Sequence, residues 1–207
     1  MKFKFALSAG LVLVAGMGLA FAATPDKTAA KPAAAVSQED PKTREYKDIL
    51  FKLVRQDEYL DEALETLDGA NGRMSAHDLS AMGLSLKMIA GNLNHVSALN
   101  KTEFSTVQGG SMHARYINTI FSYSGKVNRK AGKVSSIILQ MAAKNKKSAM
   151  RDAVSSKKSG KKARGKKIAQ LLEEQKAMQT LAADARILRA ASRGVNATSK
   201  WLYIASK

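Results

Sequence analysis

Residues 40–69 read DPKTREYKDILFKLVRQDEYLDEALETLDG, and the apolar positions Tyr46, Ile49, Leu50, Leu53, Leu60, Leu64 and Leu67 recur at steps of three, four and seven. That period puts them on one face of a helix. Asp40 then Pro41 supplies the start: a side-chain acceptor at the N-cap, followed by a residue whose missing N–H and preset φ suit the first helical position. Gly69 and Gly72 supply the stop. The spacing predicts a helix over about 41–68.

Working outward, no proline occurs from Lys42 to Lys207, which argues for long uninterrupted helices, since proline otherwise punctuates strands and turns. Ser75, with Asp78 three residues on, forms an acidic version of the capping box. Leu79, Met82, Leu86, Ile89, Leu93 and Val96 follow it, predicting a second helix over 76–100. Gln108-Gly109-Gly110-Ser111 breaks the chain. Tyr116, Ile120, Val127, Val134, Ile138 and Met141 then predict a third helix over 111–143. Ile168, Leu171, Leu172, Met178, Leu181, Ala185 and Leu188 predict a fourth over 166–193, weakening at Gly194. Trp201 to Ile204 reads as a last turn or a short docking tail. Four amphipathic helices find their simplest burial in an all-α, up-down-up-down four-helix bundle over 41–207.

Ahead of the bundle, Lys2 and Lys4 precede an uncharged run from Phe5 to Phe21 that closes on Ala20-Phe21-Ala22. These are the parts of a secretory signal peptide over residues 1–22, with cleavage expected before Ala23. The competing reading is a retained anchor, because the run is about long enough to span a bilayer. The short charged start and alanine-rich cleavage site indicate a bacterial periplasmic or secreted protein, which a basic surface can also bring to the membrane face. Pro25, Pro32 and Pro41 all fall near the join, and residues 23–40 read as a flexible Ala/Lys/Pro leader.

The 207 residues carry 34 Lys and Arg against 17 Asp and Glu, a formal net charge of +17, and contain no cysteine. Without sulfur ligands there is no disulfide framework, thiolate zinc site, iron–sulfur cluster or covalent c-type haem. Charge is also uneven. From Thr24 to Asn100 there are 9 basic and 12 acidic residues, and from Lys101 to Lys207 there are 23 basic and 5 acidic. Between Lys144 and Lys167, eleven cations face only Asp152. Like charges at this density repel, so Ser155 to Gly165 is expected to be a flexible loop within a Lys/Arg-rich connection over 144–167.

In the opposite sense, Asp57, Glu58, Asp61, Glu62, Glu65 and Asp68 give the C-terminal half of the first helix six negative charges, which oppose the helix dipole. Bundle topology puts this patch at the same pole as the Lys/Arg tract, and the two could screen each other. Even then the pole keeps a positive excess.

Sites for chemistry are sparse. His77, His95 and His113 are each 18 residues apart, about 27 Å along a straight helix, too far to share a metal. Met82, Met88 and His95 on the second helix suggest a haem pocket only weakly, because methionine is a common gap filler. Asp57, Asp61, Glu65 and Asp68 share an arc that reads as a solvated or lysine-paired face before a cation site. Ser155-x-x-Lys158 and Ser159-x-x-Lys162 match a serine-hydrolase spelling that lysine tracts generate by chance. No catalytic, metal or cofactor residues are assigned, and the chain reads as no enzyme.

The function expected from these residues is capture of anionic surfaces or acidic client proteins, in a chaperone-like or envelope-associated role. Lys157, Lys158, Lys161, Lys162, Arg164, Lys166 and Lys167 are the anion-binding set. A polycation reads phosphate or carboxylate density and not sequence, so anionic polymers, lipid headgroups and released nucleic acid are all partners of the right chemistry. No aromatic residue lies in the tract to stack bases, and sequence-specific nucleic-acid binding is not expected. The alternatives are a carrier of an apolar ligand or cofactor in the bundle core, and a self-associating structural protein or homo-oligomer.

Overall fold

Both helix starts legible in the sequence form. In the structure, a computed structural model, Asp40 accepts a hydrogen bond from the Thr43 N–H at 3.2 Å ahead of Pro41, and Ser75 and Asp78 complete a reciprocal capping box. The structure describes residues 40–207 apart from 71, 73 and 156–160, with the backbone alone for 147–155 and 161–167. The expected signal peptide and nearly all of the leader lie outside the described residues.

Among the described residues there are four helices: α1 Pro41–Gly69, α2 Ala76–Phe104, α3 Ala114–Ser155 and α4 Lys161–Ala205. No strand occurs among the described residues. The core is the set of stripes the periodicity marks, with Leu53, Leu60, Leu86, Leu93, Ile120, Val127, Val134, Leu181 and Leu188 fully buried. Burying such a side chain is worth about 1.5–3 kcal/mol, so these faces drive the packing of α2 and α3 on α4 and of α2 and α3 on α1.

The ends of α2 and α4 run past expectation. α2 runs on to Phe104 because Asn100, fully buried, donates to the Ser199 hydroxyl at 2.8 Å and keeps the last turn packed on α4. Through Gly194 α4 continues without a break. The glycine costs about 1 kcal/mol in a helix, which burial of Ala191 and Val195 on either side offsets. Trp201 to Ile204 is accordingly neither a separate turn nor a tail but part of α4, with Tyr203 stacked on Phe121 at 5.2 Å.

Across the interfaces, the polar contacts keep register. Between α1 and the α3 side, Asp40–His113, Asp57–Lys130 and Asp61–Lys130 hold a sequence separation of 69 to 73. Between α2 and α4, Ser97–Thr198, Asn100–Thr198 and Asn100–Ser199 hold one of 98 to 101. For α1 with α2 it changes, from 61 at Lys42–Glu103 to 36 at Gln56–Asn92, and for α3 with α4 from 72 at Ser124–Asn196 to 64 at Asn128–Ser192.

The start of α1 and the end of α2 meet in an ionic cluster. Lys42 lies 3.1 Å from both Glu103 carboxylate oxygens and 2.9 Å from Glu45, over a buried Tyr46. Burial, and after it the Glu103 charge, pushes the Tyr46 hydroxyl up to about 12, and hydrogen bonds to Glu45 and Glu103 raise Lys42 above the ordinary lysine value. Groups whose pKa is raised on folding stabilise the fold below their unfolded values and lose that contribution as pH climbs through the folded ones. Unfolding free energy from denaturant titration is therefore expected to fall as pH rises from about 10 toward about 12. Tyr46→Phe should flatten that fall. A stability profile flat across this window would show that the cluster contributes nothing.

Candidate functional site

Of the loop expected from Ser155 to Gly165, Ser155 and Lys161 to Gly165 are helical, and residues 156–160 lie outside the described residues. α3 extends to Ser155 and α4 begins at Lys161, so the interval between them covers no more than residues 156–160. Repulsion between like charges four residues apart costs only about 0.2–0.5 kcal/mol per pair. Lys, Arg and Ala are among the better helix formers, and lengthening an existing helix carries no nucleation cost. Propensity therefore outweighs repulsion along most of the tract. Of the seven residues expected to bind anions, Lys161, Lys162, Arg164, Lys166 and Lys167 fall on the first two turns of α4, while Lys157 and Lys158 lie outside the described residues. Ser159 and Lys158 of the serine-hydrolase spellings do too.

Either side of the tract the helices emerge from the core. Among the residues whose side chains are described, the buried positions nearest the tract are Met141 on α3 and Met178 on α4. Lys144 and Lys146 are exposed, and so are Ile168 and Leu172, at 42% and 59%. These two were expected in the apolar stripe of the fourth helix. They miss the core because α1 and α2, at 29 residues each, are far shorter than α3 at 42 and α4 at 45.

Two acids of the α1 patch have a partner on α3. Lys130, in the middle of α3, sits 2.8 Å from Asp57 and 2.7 Å from Asp61. Partial burial works against its ammonium charge, yet the hydrogen bonds to Asp57 and Asp61 prevail and raise its pKa. Lys144 and Lys146 make no ion pair among the described residues. Within 144–183 the sequence itself supplies only Asp152, Glu173 and Glu174 against twelve cations, and Glu174 accepts from Gln170 at 3.2 Å.

The histidines go three ways. His113 bridges to Asp40 at 2.8 Å with its ring 5.3 Å from Tyr46, and that hydrogen bond is the main reason the Asp40 carboxyl lies below its ordinary value. His95 lines a cleft of about 210 Å³ between α1 and α2 with Phe51, Arg55 and Tyr59. His77 lines a larger one. Met82 points into the core while Met88 and His95 face solvent, so the three do not converge. Among the described residues no three His, Asp or Glu side chains gather as a metal site, and no helix is long and apolar enough to cross a membrane.

One feature escaped the sequence reading. The larger cleft, about 550 Å³, opens between α2 and α4, and Leu84, Lys87, Lys176, Thr180 and Asp184 line it. Asp184 is 4% exposed, with Oδ1 3.6 Å from the Lys87 ammonium and Oδ2 without a hydrogen-bond donor among the described residues. Its signal was present: Leu181, Asp184, Ala185 and Leu188 share one helical face, so an acid stood in the apolar stripe. No family model, curated protein or solved structure matches the chain.

Proposed function

We propose that this chain is a non-enzymatic, exported helical-bundle protein whose Lys/Arg-rich extension captures anionic surfaces or acidic proteins. The bundle is read as up-down-up-down. In support, a constant sequence separation across two helices means that they run in the same sense, as for α1 with α3 and α2 with α4, whereas a changing one means opposite senses, as for α1 with α2 and α3 with α4. With a separation near 70 the end of α1 at Gly69 falls level with about residue 140 of α3. With one near 100 the start of α2 at Ala76 falls level with about residue 175 of α4. The surplus of α3 and α4 then stands clear of the other two helices by about 20 Å, at 1.5 Å per residue.

The observation that carries the reading is that this surplus is the cationic tract itself. Residues 144–167 carry eleven cations against Asp152 alone, and the two α1 acids Asp57 and Asp61 are already held by Lys130 in the middle of α3. Helical ends present the charge at fixed spacing and lose less entropy on binding than a loop. Recognition is by charge density, as suits phosphate- or carboxylate-rich partners of a periplasmic or secreted protein.

The test replaces Lys157, Lys158, Lys161, Lys162, Arg164, Lys166 and Lys167 together by Gln. Sedimentation or anisotropy with a soluble polyanion such as polyphosphate is expected to show most of the binding gone, with the thermal unfolding of the bundle unchanged. Full retention of binding would overturn the proposal.

A further inference from the structure

A second surface, separate from the extension, lies on the outer face of α4. Ile187, Trp201 and Ile204 are exposed there at 51%, 53% and 57%. The positions that join them at steps of three and four, Ala183, Ala190, Gly194 and Ala197, are small, and none is buried. The result is an unbroken apolar stripe of about 32 Å from residue 183 to 204. Leu84 and Met88, one turn apart on the adjoining α2, are also exposed, at 69% and 49%, and Leu84 shares the α2–α4 cleft with Thr180 and Asp184. The apolar surface is therefore two helices wide.

Arg186, Arg193 and Lys200, all exposed and seven residues apart, run along one edge of this stripe. C-terminal to the buried Asp184, residues 185–205 of α4 contain no acid. An apolar stripe bordered by cations, with a tryptophan beside a lysine, is how a helix lies in the headgroup boundary of a bilayer. Charge decides between occupants. A second copy would bring the row Arg186, Arg193 and Lys200 against its own image, and a single partner helix would cover only one of the two helices' width. Anionic headgroups match the cations, and acyl chains match Leu84, Met88 and Ile187 together.

We propose that the α2–α4 outer face, centred on Ile187, Trp201 and Ile204 and edged by Arg186, Arg193 and Lys200, seats on anionic lipid bilayers. This inference does not depend on the Lys/Arg extension, and one experiment separates them, because Trp201 is the only tryptophan in the chain. The full chain is mixed with vesicles of phosphatidylcholine, with vesicles containing phosphatidylglycerol, and with soluble polyphosphate. Phosphatidylglycerol vesicles are expected to shift Trp201 emission to the blue and shield it from acrylamide, and polyphosphate to do neither. Ile187→Asp with Ile204→Asp, at sites already exposed, should abolish the shift while polyphosphate binding persists.

Co-sedimentation with the anionic vesicles without any change at Trp201 would overturn the proposal and leave the extension as the lipid contact. So would a blue shift that grows with protein concentration in the absence of lipid, which would make a second copy the occupant, or one produced by polyphosphate or by an acidic amphipathic peptide but not by vesicles.

Discussion

Binding of the chain to a double-stranded oligonucleotide, used as a polyanion of known charge density, is expected to weaken about 10³- to 10⁴-fold between roughly 50 and 200 mM monovalent salt. Each phosphate neutralised by Lys157, Lys158, Lys161, Lys162, Arg164, Lys166 or Lys167 releases condensed counterions. Seven such contacts give a slope of about −6 in log affinity against log salt. Replacing one of them, Lys161→Gln for example, should make the slope shallower by about 0.9 and weaken all sequences alike, since no base edge is read. The full Gln variant should lose most of the slope. An affinity of the natural chain that barely moves with salt would mean that apolar contact dominates, and the α2–α4 face would then be the principal binding surface.

The parts of the fold legible in the sequence were those decided locally. Asp40-Pro41 and Ser75 with Asp78 state two helix starts within four residues each, and the stripes from Tyr46 to Leu67 and from Leu79 to Val96 are buried as their period requires. What was misread turned on the balance of two weak local effects. Charge repulsion in the tract is conspicuous, helix propensity is not, and the sum over a dozen residues favours the helix up to Ser155 and again from Lys161. Ile168 and Leu172 were misplaced for a non-local reason, because whether an apolar residue is covered depends on how far a different helix reaches.

The polar contacts between helices show the same division. That Lys130 holds Asp57 and Asp61, and that His113 caps the cluster at Asp40, join residues about 70 apart, and nothing near either residue in sequence announces the partner. The α2–α4 interface is more instructive. Asn100 with Ser199 at one end and Gly83 with Asp184 at the other set two polar points into an otherwise apolar seam. Slipping the helices by one turn would part Asn100 from Ser199, at about 1–3 kcal/mol for the uncompensated amide. These contacts hold the register of α2 against α4.

Gly83→Ala is accordingly expected to destabilise the fold by about 1–2 kcal/mol. A Cβ at residue 83 would stand 2.9 Å from Asp184 Oδ2, closer than side-chain carbons approach other heavy atoms, and 4.0 Å from Leu181 Cδ1. The carboxylate is 4% exposed and leans on Lys87, so it has little room to withdraw. Overpacking of this kind costs about 1–3 kcal/mol, and alanine's better helix propensity returns up to about 1 kcal/mol. Gly91→Ala, eight residues along the same helix with nothing within 4 Å of the added carbon, isolates that propensity term and should stabilise by up to about 1 kcal/mol. The double variant Gly83→Ala with Asp184→Ala removes the oxygen that the methyl group meets. It should therefore lose less than the two single losses added together, and chemical denaturation of the four proteins measures the difference as a coupling energy. Equal stabilities for Gly83→Ala and Gly91→Ala would mean that α4 can yield at Asp184, and that Asn100 alone holds the register.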